Sequence, residues 1–343
     1  MENGGYVEVF GDANVTFVSN TFSGLVLLHA SATVHSNTTA NSIILNDRST
    51  LCVFSGGIVN SITVSSRGYL DVSSGGTVNN TMLKYGRLYV SNSGTANSTT
   101  VNNSGHLYVS SGGTANKTTI NSGGRLIVSS GGTANDTTVN SGGSLYVSGG
   151  GTATGIVENG GCVEFIDDAN VIFTSNTFSG LVLSNASATV HSGTTANSII
   201  VNPHGYLDVS SGGKANKTMV NDDGHMSVSS GGVTNNTTVN KFGWMYVTNG
   251  GKANKTTIND CAHLEISSGG ITNNTTVNSN GYLYVSSGGT ANSTTLNENG
   301  HMYVSSGGVT NNTTVKNGGY LDVSLSKQTT DSNTRSAWKK LKK

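Results

Sequence analysis

A nineteen-residue word governs this chain. Residues 109–127 read VSSGGTANKTTINSGGRLI, and residues 128–146 read VSSGGTANDTTVNSGGSLY. A fixed period of this size marks a solenoid: one repeat makes one coil, and no coil buries its apolar side alone. The Asn that follows the glycines keeps the beat. It falls at Asn41, Asn60, Asn79, Asn97, Asn116 and Asn135, with Thr154 in the next slot. A second series runs Asn197, Asn216, Asn235, Asn254, Asn273, Asn292 and Asn311. Within each series every step is 19 residues, except the 18 from Asn79 to Asn97. Seven slots in each series predict fourteen regular coils.

The irregular stretches repeat too. Glu2-Asn3-Gly4-Gly5 returns as Glu158-Asn159-Gly160-Gly161, SNTFSGLVL at 19–27 returns at 175–183, and ASATVHS at 30–36 returns at 186–192, all offset by 156. The chain therefore reads as two tandem modules. Atypical opening coils occupy 1–40 and 158–196, regular coils 41–157 and 197–323, and a non-repeat basic tail 324–343.

Within a coil the alternation is that of a strand. Leu107 and Val109 have apolar counterparts almost everywhere (Leu70 and Val72, Met245 and Val247, Leu283 and Val285), while the slots between them hold Asp71, Ile127, Glu265 or Tyr303. Period two places the constant residues inward and the variable ones outward. A second strand carries Ile120, Val139, Val220 and Ile258 inward, with small residues such as Ala115 and Ala134 nearby. The pairs Gly112-Gly113 and Gly123-Gly124 stand between strands, where a tight corner calls for positive φ. The fold class is all-β: a single-stranded parallel β-helix solenoid with 19-residue coils. An antiparallel meander would not stack like on like at a strict period. Four or five apolar side chains per coil, at ~1.5–3 kcal/mol each, roughly offset the ordering of the coil, so single coils fail and arrays hold.

Composition narrows the function. Only 10% of residues are charged, and Lys+Arg equals Asp+Glu at 18 each, which gives no basis for binding nucleic acid or a charged membrane surface. No run approaches the roughly 20 apolar residues of a membrane helix. The N-terminus shows no basic and apolar leader pattern, so no signal peptide is visible. Cys52, Cys162 and Cys261 lie several coils apart, far beyond the ~7 Å a disulfide allows, and read as free thiols with no zinc spacing.

The outward slot before each inner Leu or Met forms a column in the second module: Tyr206, His225, Trp244, His263, Tyr282, His301 and Tyr320. The next outward slot adds Tyr246, Tyr284 and Tyr303. These residues are a candidate face for self-association or ligand contact, because aromatics on a rigid face give large contact area. The alternative is a tolerated exposed stripe. A metal reading of His225, His263 and His301 fails, since they stand roughly 10 Å apart, two coils each, against ~2.0–2.1 Å bonds. A Thr column, including Thr119, Thr138, Thr238, Thr257 and Thr276, is a candidate for polar pairing of two solenoids, or a structural ladder like the Asn columns. The carboxylate pairs Asp167-Asp168 and Asp222-Asp223 recur on no neighbouring coil, and adjacent residues on a strand point to opposite faces. No catalytic residue, cofactor or metal is expected.

The signature Gly131-Gly132-Thr133-Ala134-Asn135, Thr137-Thr138-Val139-Asn140-Ser141-Gly142-Gly143, Leu145 and Val147 resembles the AIDA-type repeats in passengers of self-associating autotransporter adhesins of Gram-negative bacteria. The resemblance covers about three quarters of the chain. It implies a right-handed helix at the cell surface or secreted, associated with the outer membrane, and acting in adhesion, autoaggregation or biofilm formation. The implied partners are the same protein on neighbouring cells and a host-surface or glycan receptor. It also implies a heptosyltransferase that O-glycosylates Ser or Thr, which makes a glycosylated surface structural protein the second reading. A polysaccharide-active β-helix enzyme is the third. The family's signal sequence and C-terminal barrel have no counterpart here, and the tail ending Trp338-Lys339-Lys340-Leu341-Lys342-Lys343 reads as a solvated end or as a cap.

Overall fold

Strand periodicity and corner glycines fold as the repeat requires. The computed structural model describes residues 20–166 and 169–324, and every regular element in them is a β-strand. The opening segment 1–19, the pair Asp167-Asp168 and the tail from 325 lie outside the described residues. Two compact units divide the chain, Met1–Asn197 and Ser198–Lys343.

In the first unit a 12-stranded sheet and an 8-stranded sheet are built wholly from parallel pairs. The register is like on like. Leu107 pairs with Leu126 and Val109 with Val128, one repeat on. All four are fully buried, as are Ala134, Thr137 and Val139 of the next strands. One coil thus contributes Leu126, Val128, Ala134 and Val139 to the core, with Thr137 beside them. The strands Ile58–Ser65, Thr77–Lys84 and Thr95–Asn102 turn one corner without interruption. They do so at Ser61, Asn80 and Ser98, each with φ between 54° and 60°. This left-handed residue directly follows the ladder Asn at each corner (Asn60-Ser61, Asn79-Asn80, Asn97-Ser98), a backbone region that Asn enters more readily than most residues.

The second unit repeats the same three-sided coil. Tyr206–Val209 forms the aromatic side, Lys214–Asn216 the next and Met219–Val220 the third. Parallel pairing then carries each side forward to Tyr320–Val323, Val309–Asn311 and Thr314–Val315. At the corner after the aromatic strand the two glycines have different tasks. Gly269 takes φ +84°, whereas Gly270 lies so near the coil below that an added Cβ would stand 2.0 Å from the Val247 carbonyl oxygen.

Asn ladders run along the corners. In the second unit Asn235 Nδ2 donates to Asn216 Oδ1 at 2.9 Å, and Asn254, Asn273, Asn292 and Asn311 continue the chain of bonds at 2.9–3.0 Å. A parallel ladder joins Asn221, Asn240, Asn259, Asn278 and Asn297. Each amide both donates and accepts, so the column satisfies itself. The structural reading of the Asn columns therefore holds. Cys52, Cys162 and Cys261 form no disulfide among the described residues, and each is half-buried.

Candidate functional site

The predicted site residues fall on two different sides of the coil. Thr119, Thr138, Thr238, Thr257 and Thr276 are half-buried, outward residues on the short third strands. They stack in register, Thr119 on Thr138 in the first unit and Thr238, Thr257 and Thr276 in the second. The aromatics occupy another side, so the two sets do not make one site.

On the aromatic side, strand spacing brings rings into contact. Trp244 stacks on His263 at 4.0 Å and 9°, and His263 on Tyr282 at 5.1 Å. Tyr282 stacks on His301 at 5.2 Å, and Tyr320 closes the column tilted by 52°. The second outward slot joins from the side: Trp244 with Tyr246, His263 and Tyr282 with Tyr284, His301 with Tyr303. Tyr284 and Tyr303 stack at 5.4 Å and 13°. Separations of this size are those of offset rings, each leaving part of its face open.

The other end of the predicted column behaves differently. The Tyr206 hydroxyl bonds Ser227, and His225 Nε2 lies 3.8 Å from Asp223 Oδ1. Asp223, one of the carboxylates weighed for catalysis, is held at 2.8 Å by His204 Nδ1 at an exposed corner. Among the described residues no group of three His, Cys, Asp or Glu side chains is placed to hold a metal ion.

Burial sets the chemistry of the stack. It pushes the His263 imidazole down from its usual value, so the ring in the stack is neutral near pH 7. Burial, and then the Glu265 carboxylate, push the Tyr246 phenol up. Burial, with Tyr303 and Tyr282 beside it, does the same at Tyr284. Beside the stack lies a shallow groove of about 400 Å³, lined by Trp244, Glu265, Tyr284, Ser286, Tyr303 and Ser305. The corresponding side of the first unit is broken. Tyr89 and Tyr108 stack at 4.8 Å, but Arg87 sits over Tyr69 and Arg125 follows His106 in the column.

Two features escaped the sequence reading. The first is a buried polar cluster in the first unit. Glu158 is fully buried, and its carboxyl group accepts from the Thr189 hydroxyl at 2.6 Å and from the His191 backbone N–H at 2.8 Å. His191 Nδ1 lies 2.5 Å from Glu158 Oε1, and Phe173 stacks on the imidazole at 4.6 Å. The signal was present in the paired reappearance of ENGG and ASATVHS. The second is an inward Thr column. Thr118, Thr137, Thr237, Thr256, Thr275 and Thr294 are at most 1% exposed, and their hydroxyls have no hydrogen-bond partner.

Parallel strands stacked at a nineteen-residue spacing, with an aromatic column on one outer side, define a β-solenoid repeat protein. Its sequence matches the family described as "adhesin of bacterial autotransporter system, probable stalk" over 85–135, 105–161, 211–261, 239–300 and 265–319, together more than half of the chain. The chain belongs to that adhesin family and is a segment of an autotransporter adhesin passenger. No curated protein matches it. Among solved structures, a TibC-catalysed, hyper-glycosylated fragment of TibA is 34% identical, with 86% of this chain and 99% of that chain covered and a TM-score of 0.47.

Proposed function

We propose that the chain is displayed at the bacterial surface, and that the aromatic side of its second unit makes the adhesive contacts. The partner is the same protein on a neighbouring cell, with a host-surface receptor as the other target. Autoaggregation and biofilm formation follow from many weak contacts summed along a repeated face. The observation that carries this reading is the continuous ring stack from Trp244 to Tyr320, part-exposed and rigidly spaced. The outward Thr column offers a second, polar face for pairing. The chain works without catalysis in this reading, as a scaffold for contact.

The test displays the chain on cells that do not otherwise clump. Wild type should sediment as aggregates, while a variant with Trp244, Tyr282, Tyr284 and Tyr303 all changed to Ser should stay dispersed at equal display. Equal clumping by both would refute the aromatic face. A set of exposed corner serines, Ser230, Ser268, Ser287 and Ser306, favours a second reading, in which a glycosyltransferase modifies the chain. Intact mass from the native host should then exceed the sequence mass by whole sugar units.

A further inference from the structure

The groove beside the stack has a lining that ring packing alone does not require. Its residues come from four successive coils: Trp244, then Glu265, then Tyr284 and Ser286, then Tyr303 and Ser305. Three steps of ~4.8 Å make it about 14 Å long. Along the second outward slot Tyr246 pairs with Glu265, and Glu265 with Tyr284. The shorter Glu265 therefore opens a notch between two tyrosines that stand two coils, about 10 Å, apart. Glu265 is half-buried, and among the described residues no hydrogen bond or ion pair holds its carboxylate. Such a group gains strongly from a partner that brings donors.

We infer that this groove binds a neutral oligosaccharide, an inference that rests on reading the aromatic side as a contact face. The open parts of the Tyr284 and Tyr303 rings suit the C–H face of a pyranose. The Glu265 carboxylate accepts from sugar hydroxyls, which arrive in adjacent pairs. Ser286 and Ser305 can each donate and accept, as a polyol requires. Ser286 Oγ has only a long 3.4 Å contact to the Ile266 carbonyl oxygen and is free to exchange it. An acidic sugar would be repelled by Glu265. A guanidinium would satisfy the carboxylate and the rings, but it would fill one notch and leave the serines and most of the length unused. A chain of more than one sugar ring uses all of it.

Trp244 is one of two tryptophans, so Trp338→Phe makes its indole the reporter. The full chain is titrated with neutral tetrasaccharides of glucose, galactose, mannose and N-acetylglucosamine. Tetragalacturonate and an arginine-containing tetrapeptide are the charged comparisons. The expected result is a saturable change in Trp244 emission with a neutral tetrasaccharide, little altered by high salt. Tyr284→Ala and Glu265→Gln should each weaken binding about tenfold. Tyr108→Ala, on the first unit, should leave it unchanged.

No change with any neutral sugar at roughly ten times a millimolar Kd overturns the inference. So does undiminished binding by Tyr284→Ala, or binding of the arginine peptide alone with collapse at high salt. The two readings fail separately. Cell clumping without sugar binding removes the groove and leaves the contact face. Sugar binding without clumping or surface attachment removes adhesion by this face and leaves the groove.

Discussion

Replacing Gly270 with alanine tests the stacking geometry at its tightest point. The added Cβ would stand 2.0 Å from the Val247 carbonyl oxygen and 2.6 Å from the carbonyl carbon. Both are backbone atoms of the preceding coil, so no rotamer change relieves the clash. The coils must part locally, by about 1.4 Å, to reach ordinary contact at 3.4 Å. That movement strains the bonds from Ile271 N–H to Gly251 O at 3.0 Å and from Thr290 N–H to Gly270 O at 2.9 Å. Two weakened bonds at ~1 kcal/mol each, with about 1–3 kcal/mol of overpacking, give a cost of roughly 3–5 kcal/mol. Gly269→Ala is the control. Its Cβ would meet nothing nearer than the Gly250 nitrogen at 3.5 Å, and only the φ of +84° resists it. That strain is about 1–2 kcal/mol, and Ser93 already sustains φ 66° in the same slot of another coil. Because repeat arrays open locally, the assay is native-state hydrogen exchange at the Ile271 and Thr290 amides, backed by urea unfolding. Gly270→Ala should lose protection at both amides and Gly269→Ala much less. Equal losses in the two variants would refute the argument from coil spacing.

Three further outcomes are expected. Thr237→Val and Thr256→Val, which replace buried unpartnered hydroxyls by methyl groups, should each stabilise the second unit by about 1 kcal/mol in urea unfolding. Glu158→Gln turns an amide donor toward the His191 N–H or the Thr189 hydroxyl, and should destabilise the first unit by roughly 2–4 kcal/mol, seen as lost exchange protection at His191. The His263 imidazole is depressed in the folded chain, so the unfolded chain binds its proton more readily. The stability it contributes is full above the unfolded value near 6.5 and falls as pH drops below it. The melting temperature should therefore fall on acidification toward pH 5 by less in His263→Phe than in wild type. An identical fall in both would remove the assignment.

The coil was legible because the repeat is strict. Leu107 and Val109 mark the inner side by parity alone, and the same word one period later fixes the register. The glycine pairs were legible as corners, but not as two tasks. Gly269 and Gly270 are the same letter, and only the approach of Val247 separates left-handed backbone from absent volume. The aromatic column was legible as a face because strand spacing is fixed; its break at His225 was not, because Asp223 competes for that imidazole from a corner. The Glu158 cluster stayed hidden because its partners lie 31 and 33 residues away, outside the nineteen-residue beat. The inward Thr column was readable in principle, since Thr118 shares the parity of Ile120, but identical neighbouring letters masked which of the two turns in.

Like-on-like register has a consequence for how such a gene can change. Where Leu stands on Leu and Asn on Asn, as at Leu107 with Leu126 and Asn235 with Asn254, deleting or duplicating one whole word recreates the same junctions. A slip of the DNA by one repeat therefore leaves nothing to refit, whereas loss of a single codon inside a strand reverses which side chains of its remainder face in. The 18-residue step from Asn79 to Asn97 falls at a corner, and the columns resume beyond it. Reach can thus vary between lineages by recombination among near-identical segments.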